Sequence, residues 1–599
     1  MEQKSGGIAK YIFLGLAVFL LFQFGWPLIF GDENAPAKQP FGESHFGSVP
    51  SGDRPEESLC ELTDSRATFV LSSRGGALKS ATMSDAKYAG IQLVTTSKEQ
   101  RMPLRTGLRL PEGDSQQVEL DNLDFVLESQ DAQSCSFVFK DASTEVKKTV
   151  SLTGRPFELA MQLTVTNLSD GAKKHRLTVE QSSWRTKRET EASFWDLGRR
   201  PEWMTDVVTH TTQGTKRHLP GEYGPGEFDE EGFTSERWLR AAGDGLWAAV
   251  STNYFANAVI HTDGPRPWAE TLIEDGEYYN LQPNSDQYGH LYRARLAYEA
   301  KELAAGESTS YGVLAFIGPK EREVLAAVGG PAGGQSGGGS ANRYETKALI
   351  DLGMFGAIGE FLVGFTVWLF RLVGSWGWAI CLLTLTVKLL VFPLQFPQLK
   401  TTVAMRRVKP QVDAINEQYK DDMMQKNLAL QELYRREGIR PLIGCLPLML
   451  QMPVWFALYQ ALSSAVELYR TPFLFPLIPD LTHADPYHVI PIVLGASSFL
   501  QQKMMPPQGM DPQQAKMMLY MMPAIFTVMM FFMPAGLGVY MLTNTWLGIV
   551  QQWGVEKWVQ SRLKEQTGIQ VREVDKKKDV PPAIEPAAGI GKGKVRARG

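Results

Sequence analysis

The sequence predicts a multi-domain membrane protein: a bundle of six transmembrane α-helices, a soluble antiparallel β-sandwich and a cytoplasmic helical hairpin. Three observations support this. Residues 60–320 consist of short alternating runs separated by turn residues, residues 345–557 contain long apolar stretches, and residues 400–440 are basic and amphipathic. The overall net charge of −4 and the 44% hydrophobic content therefore average two very different compositions.

The N-terminus predicts a retained membrane anchor. Lys4 and Lys10 precede an apolar run that ends at residue 30. This run lacks the small-x-small cleavage site of a secretory signal peptide, so residues 1–30 are predicted to remain as a first transmembrane helix, with both lysines in the cytoplasm. Residues 31–59, which are rich in proline, glycine and charge, then form a flexible linker.

Residues 60–325 predict an antiparallel β-sandwich, because short runs of alternating polarity are bounded by turn residues. The clearest runs are Thr68–Ser72, Phe157–Asn167, His175–Glu180, Leu291–Tyr298 and Tyr311–Ile317. The histidines and acids of this domain lack the spacing of a metal or catalytic site, as in His210, His218, Asp229 and Glu230. We therefore predict no catalytic residue, no metal, no cofactor and no enzymatic activity, and we assign the tryptophans to core packing.

Four cysteines are present. Cys381 and Cys445 fall in apolar stretches and are expected to act as small hydrophobic residues. Cys60 and Cys135 lie in the β-sandwich, where they form a disulfide if the domain faces an oxidising compartment and stay free thiols otherwise. Their spacing leaves both alternatives open.

Residues 326–344 include the run GGPAGGQSGGGS and form a flexible linker. Segment 345–373 can either span the membrane or lie on its surface, and its apolar stripe comprises Leu352, Phe355, Leu362, Leu369 and Val373. If it spanned, the basic segment 400–440 would lie outside the cytoplasm, against the positive-inside rule. We therefore place segment 345–373 at the outer membrane interface.

The membrane core is predicted at residues 374–557. Its five spans are 376–399, 442–466, 488–504, 517–533 and 537–555, which make six with the N-terminal anchor. Segment 400–440 and the tail 558–599 are basic and are placed in the cytoplasm, whereas residues 467–487 carry only Arg470. Both chain termini are then cytoplasmic and the β-sandwich lies across the membrane.

Lys388 is the most unusual residue of the membrane core. It lies twelve residues from both Trp376 and Lys400, which at a rise of about 1.5 Å per residue is roughly 18 Å from either end of the span. A cation at that depth costs roughly 2.5–3.5 kcal/mol. The predicted spans of the membrane core contain no Asp or Glu. An acidic partner is therefore expected to come from another molecule.

Neutral polar residues accompany Lys388. Thr384 and Gln395 lie on the same helix face, and other spans contribute Gln451, Ser497, Gln501 and Asn544. A water-filled cavity in the bundle explains these residues together. Hydrogen bonds between packed helices explain most of them individually.

Segment 400–440 predicts a helical hairpin that docks partners, or a coiled coil without a function of its own. Its first arm carries Val408, Val412, Ile415 and Tyr419 at helical spacing, and its second arm carries Leu428, Leu430, Leu433 and Tyr434 before Gly438 and Pro441 end it. The basic tail 558–599 fits ribosomal RNA or anionic lipid.

Several runs of the membrane core resemble the YidC/Oxa/Alb family of membrane-protein insertases. They are GCLPLMLQMPVWFALYQAL (Gly444–Leu462), DPYHVIPIVLG (Asp485–Gly495), QQKMMPP (Gln501–Pro507), MMPAIFTVMMFFMPAGLGVY (Met521–Tyr540) and TNTWLGIVQQ (Thr543–Gln552). The anchor and large β domain resemble the Gram-negative form. That resemblance implies a cell inner membrane location and a periplasmic β-supersandwich.

The resemblance also implies a function. Such a protein inserts and helps fold inner-membrane proteins, alone or with the Sec translocon (SecYEG, SecDF), through a hydrophilic, positively charged groove. The implied partners are nascent membrane proteins, the translocon, membrane lipid and, through the hairpin and basic tail, the ribosome. The implied groove residues are Lys388, Thr384, Gln395, Gln451, Ser497, Gln501, Tyr540 and Asn544.

Two positions depart from the family pattern. Lys388 stands where bacterial members usually have arginine, and Met541 stands where the family has a second tyrosine after Tyr540. Two other functions were weighed: a proton-linked secondary transporter that uses Lys388, and a scaffold whose β domain does the work. Paired intramembrane acids and repeated halves, which are common in transporters, are not visible in the sequence.

Overall fold

The computed structural model describes residues 54–96, 101–112, 116–120, 123–190, 203–218, 238–275, 285–330, 344–352, 356–419, 422–439, 456–504 and 512–567. The predicted anchor, Cys445, Gln451 and the tail beyond residue 567 lie outside these residues. The chain divides into two compact units. The first comprises Met1–Ile380, Trp455–Pro491 and Val528–Val539, and the second comprises Cys381–Val454, Ile492–Thr527 and Tyr540–Gly599.

The first unit contains the predicted β-sandwich. Its described strands form three antiparallel sheets, with the orders β1-β2-β3, β13-β16-β17-β10-β4-β5 (β18 pairs with β10) and β12-β11-β14-β15-β19-β9-β8-β7-β6. The strands are β1 Leu59–Thr63, β2 Ala67–Ser72, β3 Ala77–Met83, β4 Arg105–Glu112, β5 Gln116–Leu120, β6 Val126–Gln130, β7 Ser134–Lys140, β8 Thr144–Leu152, β9 Glu158–Asn167, β10 Lys173–Thr186, β11 Asp206–Thr211, β12 Gly214–His218, β13 Leu239–Arg240, β14 Gly245–Ser251, β15 Phe255–Asp263, β16 Pro267–Asp275, β17 Gly289–Tyr298, β18 Lys301–Leu303 and β19 Ser308–Pro319.

Alternation along the strands builds the core. All five runs predicted from the sequence form strands: four lie within β2, β10, β17 and β19, and the fifth coincides with β9 except for Phe157, which precedes that strand. In β9 every second side chain is buried, from Leu159 to Val165, because successive residues of a strand point to opposite faces. Tyr292 and Tyr298 of β17 enter the same core.

Cys60 and Cys135 form a disulfide, with their Cα atoms 6.3 Å apart. Both residues are fully buried. The bond joins β1 of the small sheet to β7 of the nine-stranded sheet, which decides between the two alternatives left open by their spacing. A disulfide is typical of a domain that faces an oxidising compartment.

Lys148 of β8 is a fully buried lysine inside the sandwich. Its Nζ donates hydrogen bonds to the Leu104 carbonyl at 2.6 Å and to Thr106 Oγ1 at 3.0 Å. Burial lowers the pKa of Lys148 to about 7, because desolvation disfavours the charged form. A neutral amine still donates both hydrogen bonds.

The helices are α1 Arg322–Ala327, α2 Gly356–Val373, α3 Trp376–Gln418, α4 Met423–Arg436, α5 (helical residues 456–464), α6 Val489–Met504, α7 Pro512–Met530 and α8 Ala535–Thr567, besides one helical turn at Lys187–Thr190. Among the described residues, only Gly356–Val373 and Trp376–Gln418 are long and apolar enough to span a membrane, and Lys516–Met530 is a shorter apolar helix. The six-span count therefore stays a prediction.

The predicted second span, 376–399, and the first arm of the predicted hairpin are one continuous helix, α3, from Trp376 to Gln418. The place where this helix leaves the membrane stays a prediction. One other predicted boundary differs from the structure. The segment 345–373 was expected to be one interfacial piece, but Thr346–Leu349 form a 3-10 turn on the β domain, where Thr346 Oγ1 donates to the Leu325 carbonyl at 2.6 Å.

Helix α2 buries one face on protein. Leu362 and Leu369 of the predicted stripe are buried, whereas Val373 is exposed and Phe355 lies outside the described residues. Gly359 faces Ala457 and Ala461 of α5. Apolar side chains are also exposed on the rest of the helix, namely Ile358, Phe361, Trp368 and Leu372. Such exposed apolar residues are compatible with lipid contact.

The hairpin arms bury a small apolar cluster between α3 and α4: Met405, Val408, Val412, Ile415, Leu430, Leu433 and Ile439. The predicted stripe is therefore largely confirmed. Leu428 was expected in it, but it is 59% exposed. Asp422 caps α4 by accepting hydrogen bonds from the Met424 and Gln425 amides, and Gly438 ends the arm with a φ of 66°.

We predict that Cys60→Ser lowers the free energy of unfolding of the β domain by about 4 kcal/mol, because the bond closes a loop of 75 residues and so restricts the unfolded chain. Denaturant unfolding of the purified full-length protein, followed by near-ultraviolet circular dichroism, measures this change. Cys381→Ser is the control, since Cys381 belongs to the second unit. Equal stability of Cys60→Ser and wild type would contradict the prediction.

We also predict a pH dependence from Lys148. Between pH 7 and its ordinary pKa of 10.5, the unfolded chain holds a proton that the folded chain lacks, so the free energy of unfolding rises with pH, by up to about 1.4 kcal/mol per unit. Lys148→Met removes this slope. The control is Lys147→Met, because Lys147 is half exposed and pairs with Glu128 at 2.6 Å. The prediction is refuted if the free energy of unfolding changes with pH by the same slope in Lys148→Met and Lys147→Met.

Candidate functional site

Lys388 belongs to the second unit and is only 8% exposed. Thr384, one turn before it, and Gln395, two turns after it, are also buried. The opposite face of α3 exposes apolar side chains: Leu385, Leu389, Leu390 and Leu394. This polarity is the reverse of a soluble helix, and it is the arrangement expected where polar residues face a bundle interior and apolar residues face lipid.

Gly548 of α8 brings Lys388 close to α6. A Cβ atom at Gly548 would lie 2.6 Å from Gln501 Nε2 and 3.7 Å from Lys388 Nζ. The ammonium and the amide therefore approach the same backbone point. Only a residue without a side chain leaves that space open, so Gly548 keeps three helices close together at the charge.

The face of α8 that carries Gly548 is polar and buried. Thr545 and Gln552 lie on it, at 6% and 0% exposure, while Val550 and Trp553 are exposed on the other side. Neither amide atom of Gln552 has a hydrogen-bond partner in the described part of the chain. Sequence reasoning missed Gln552. The signal for Gln552 was its pairing with Gln551 in an otherwise apolar helix. Adjacent residues lie about 100° apart around a helix, so the two side chains face different surroundings.

The other predicted groove residues divide into three groups. Tyr540 is buried and Asn544 half-buried, two turns and one turn before Gly548 on α8. Ser497 is buried on α6, but its hydroxyl donates to the Val493 carbonyl of its own helix at 2.7 Å, which is a packing role. Gln451 lies outside the described residues.

Helix α3 is held to α8 on both sides of Lys388. Cys381 Sγ and Thr543 Oγ1 are 3.4 Å apart. Beyond Lys388 the Phe396 ring packs edge-to-face on Trp558, with the Lys400 ammonium 4.8 Å from the Trp558 ring centre. These contacts fix the rotation of α3 and so keep its polar face toward α8.

No carboxylate pairs with Lys388 within the described residues, and none of their His, Cys, Asp or Glu side chains group into a metal site. Glu556, two turns beyond Gly548 on α8, is instead paired with Arg406 at 2.9 Å. The site therefore consists of one buried cation with neutral amide and hydroxyl neighbours. Such a site can attract a carboxylate.

Comparison with known proteins places both parts of the chain in one family. Residues 60–365 match the model of the YidC periplasmic domain, and residues 368–562 match the model of the 60Kd inner membrane protein. A membrane protein insertase YidC of Anaeromyxobacter sp. (strain K) is 32% identical over 509 residues, which cover 83% of this chain and 84% of the relative.

Two further proteins are similar. The membrane protein insertase YidC of Nitrosococcus oceani is 36% identical over 316 residues, 53% of this chain and 52% of the relative. A crystal structure of an active YidC insertase with its first transmembrane domain resolved covers 91% of this chain and 98% of its own, at 17% identity and a TM-score of 0.34. The chain thus belongs to the YidC family of membrane protein insertases, inner-membrane proteins with a periplasmic domain.

Proposed function

We propose that this protein inserts and helps fold inner-membrane proteins by drawing the acidic, polar end of a substrate into a hydrophilic groove around Lys388. The substrate is a nascent membrane protein, received alone or from the Sec translocon. Its apolar helix then moves into lipid, while its polar end crosses through the groove. The reaction forms and breaks no covalent bond, so it needs no cofactor.

The observation that carries this proposal is the burial of Lys388 without a carboxylate partner in the described residues. A carboxylate at about 4 Å gains roughly 4 kcal/mol at an effective dielectric constant of 20. The cost of the buried cation is of similar size, roughly 2.5–3.5 kcal/mol. A substrate carboxylate therefore offsets part of the cost of the buried cation while it is inside the groove, and its own desolvation keeps the net gain of the pair small. This transience suits a site that has to release its substrate.

The neutral neighbours support transient binding as well. Gln501 and Gln552 supply amide groups that hydrogen-bond a polar chain without fixing its charge or sequence. A permanent carboxylate beside Lys388 would compete with the substrate. Proton-linked transporters, in contrast, commonly carry paired intramembrane acids, and the predicted spans of the membrane core contain none.

The hairpin is proposed as the docking site for the ribosome and the translocon. Exposed cations line both arms, Arg406, Arg407 and Lys409 on α3 and Arg435 and Arg436 on α4. Met424 and Leu428 are exposed apolar residues on the second arm. Cations favour ribosomal RNA and exposed apolar residues favour protein, so the cations of both arms and the apolar residues of the second arm fit partners of different chemistry. The basic tail 558–599 is proposed to add to the attraction for the ribosome and for anionic lipid.

The proposed topology has six spans, cytoplasmic termini and α2 on the periplasmic surface. It is supported by the basic residues of the hairpin, which the positive-inside rule retains in the cytoplasm. The disulfide between Cys60 and Cys135 supports a periplasmic β domain, because the periplasm is oxidising.

We expect Lys388→Arg to insert a one-span substrate with an acidic tail as well as wild type, whereas Lys388→Ala loses roughly tenfold, equivalent to about 1.4 kcal/mol, and Lys388→Glu loses more. Reconstituted vesicles and protease protection of the tail measure insertion. The matched control is the same substrate with its tail acids changed to amides, for which the variants should differ little. A basic tail should partly rescue Lys388→Glu. Equal insertion of the acidic substrate by all four proteins would rule out a role for the charge.

A second expectation concerns Gly548. Gly548→Leu should reduce insertion severalfold, because its side chain fills the space shared by Lys388 and Gln501. Gly554→Leu is the control, since a Cβ atom there meets no atom within 4 Å. The assay is the same, at equal amounts of folded protein in the vesicles. Wild-type insertion by Gly548→Leu would show that the space is not used.

A further inference from the structure

A cavity lined partly by charged residues lies in the first unit, which does not contain Lys388. It has a volume of about 530 Å³, which falls within the roughly 300–1,000 Å³ of small-molecule pockets. Its walls come from β12, the start of α1, the turn Thr346–Leu349 with the residues after it, and the start of α2. The charged residues that line it are Arg217, Arg322, Lys347, Asp351 and Glu360. We call this cavity the junction cleft.

Arg217 forms part of the wall of the junction cleft, and its guanidinium makes three hydrogen bonds to protein atoms. Its Nη1 donates to Asp206 at 2.9 Å. Its Nη2 donates to the carbonyls of Ala348 and Leu349 at 2.7 and 2.9 Å. These bonds fix the turn after the linker against β12, so the cleft is formed before any ligand arrives.

Arg322 differs from Arg217 in its hydrogen bonds. Its backbone amide donates to Glu467 Oε1 at 3.3 Å, which anchors the start of α1. Its Nε is buried and has no hydrogen-bond partner in the part of the chain that the structure describes. Burial lowers the pKa of Arg322, and attraction to Glu467 and Glu360 partly opposes this shift. A buried guanidinium nitrogen without a partner is costly, and a ligand anion removes that cost.

The junction cleft also carries negative charge. Glu360 lies on the first turns of α2 and is exposed, and Asp351 is half-buried just before the helix. Lys347 is exposed on the opposite wall. Besides Arg217, which is paired to Asp206, the charged lining residues are Arg322, Lys347, Asp351 and Glu360, whose charges sum to zero. The balanced charge favours a ligand that is itself zwitterionic over a simple anion.

The place of the junction cleft in the fold points to a lipid. It opens at the start of α2, whose exposed apolar residues include Phe361, Trp368 and Leu372. The proposed position of α2 is the outer interface of the membrane, where such residues enter lipid and polar groups at the helix start meet headgroups. A headgroup at that depth is the zwitterion nearest to the cleft.

We propose that the junction cleft binds the headgroup of an amine-bearing phospholipid of the phosphoethanolamine class, with its phosphate at Arg322 and Lys347 and its ammonium at Glu360 and Asp351. Arginine suits the phosphate because its planar nitrogens match phosphate oxygens. A primary ammonium donates three hydrogen bonds to carboxylates, which a trimethylated amine cannot do. The proposal rests on the surface position of α2 and does not depend on the insertion activity at Lys388.

The test uses the full-length protein in vesicles that contain equal amounts of phosphatidylethanolamine, phosphatidylcholine and phosphatidylglycerol. After gentle detergent extraction, native mass spectrometry counts the lipids that each protein retains. We expect wild type to retain phosphatidylethanolamine in at least fivefold excess over the other two lipids, and Arg322→Gln to lose this excess. The control is Arg371→Gln, because Arg371 is an exposed arginine of α2 that pairs with Glu323 outside the cleft.

Glu360→Gln separates recognition of the amine from folding, because Glu360 is exposed and its replacement does not disturb the core. This variant should bind phosphatidylglycerol more strongly relative to phosphatidylethanolamine. Soluble glycerophosphoethanolamine should displace the retained lipid, whereas inorganic phosphate at the same concentration should not. The proposal is overturned if phosphatidylcholine is retained equally, if inorganic phosphate competes equally, or if both Arg322→Gln and Glu360→Gln retain lipids as wild type does.

Discussion

The burial of one cation, Lys388, constrains most of the second unit. A charge in an apolar bundle is tolerated only where neighbouring groups are polar and the chains approach closely. Thr384, Gln395 and Gln501 supply the polarity, and Gly548 supplies the close approach. The leucines of α3 must then face outward, because the interior face is taken. The reversed polarity of α3 is thus a consequence of the single charge rather than a separate feature.

The same physics explains which predictions from the sequence succeeded. Strands were found because alternation of polarity reports burial directly, as in β9. Lys388 was found because a cation in an apolar run is unmistakable. The end of the second span at residue 399 stays a prediction, because hydropathy marks where the solvent changes and says nothing of where hydrogen bonding along a helix stops. The expected burial of Leu428 was wrong, because apolar character is compatible with an exposed position as well as with a core.

Other features depend on contacts between distant residues and have no local signal. The bond between Cys60 and Cys135 requires two sheets to meet, and the burial of Lys148 depends on the carbonyl of Leu104 in the turn before β4. Gln552 lies between these cases. Its pair with Gln551 was visible, but helix phase decides which of the two is buried, and that phase is fixed by contacts such as the packing of Phe396 on Trp558.

The first unit shows why the β domain is more than a tethered appendage. Tyr469 stacks on Tyr88, and Asn253 donates to the Ser463 carbonyl at 2.8 Å, so the end of α5 and the loop after it are part of the β-domain core. On the other side of the Gly-rich linker, Trp247 Nε1 donates to the Tyr344 carbonyl at 2.8 Å. A chain fixed at both places leaves little freedom to the start of α2. The β domain therefore sets the position of α2, and any headgroup bound in the junction cleft is bound by both.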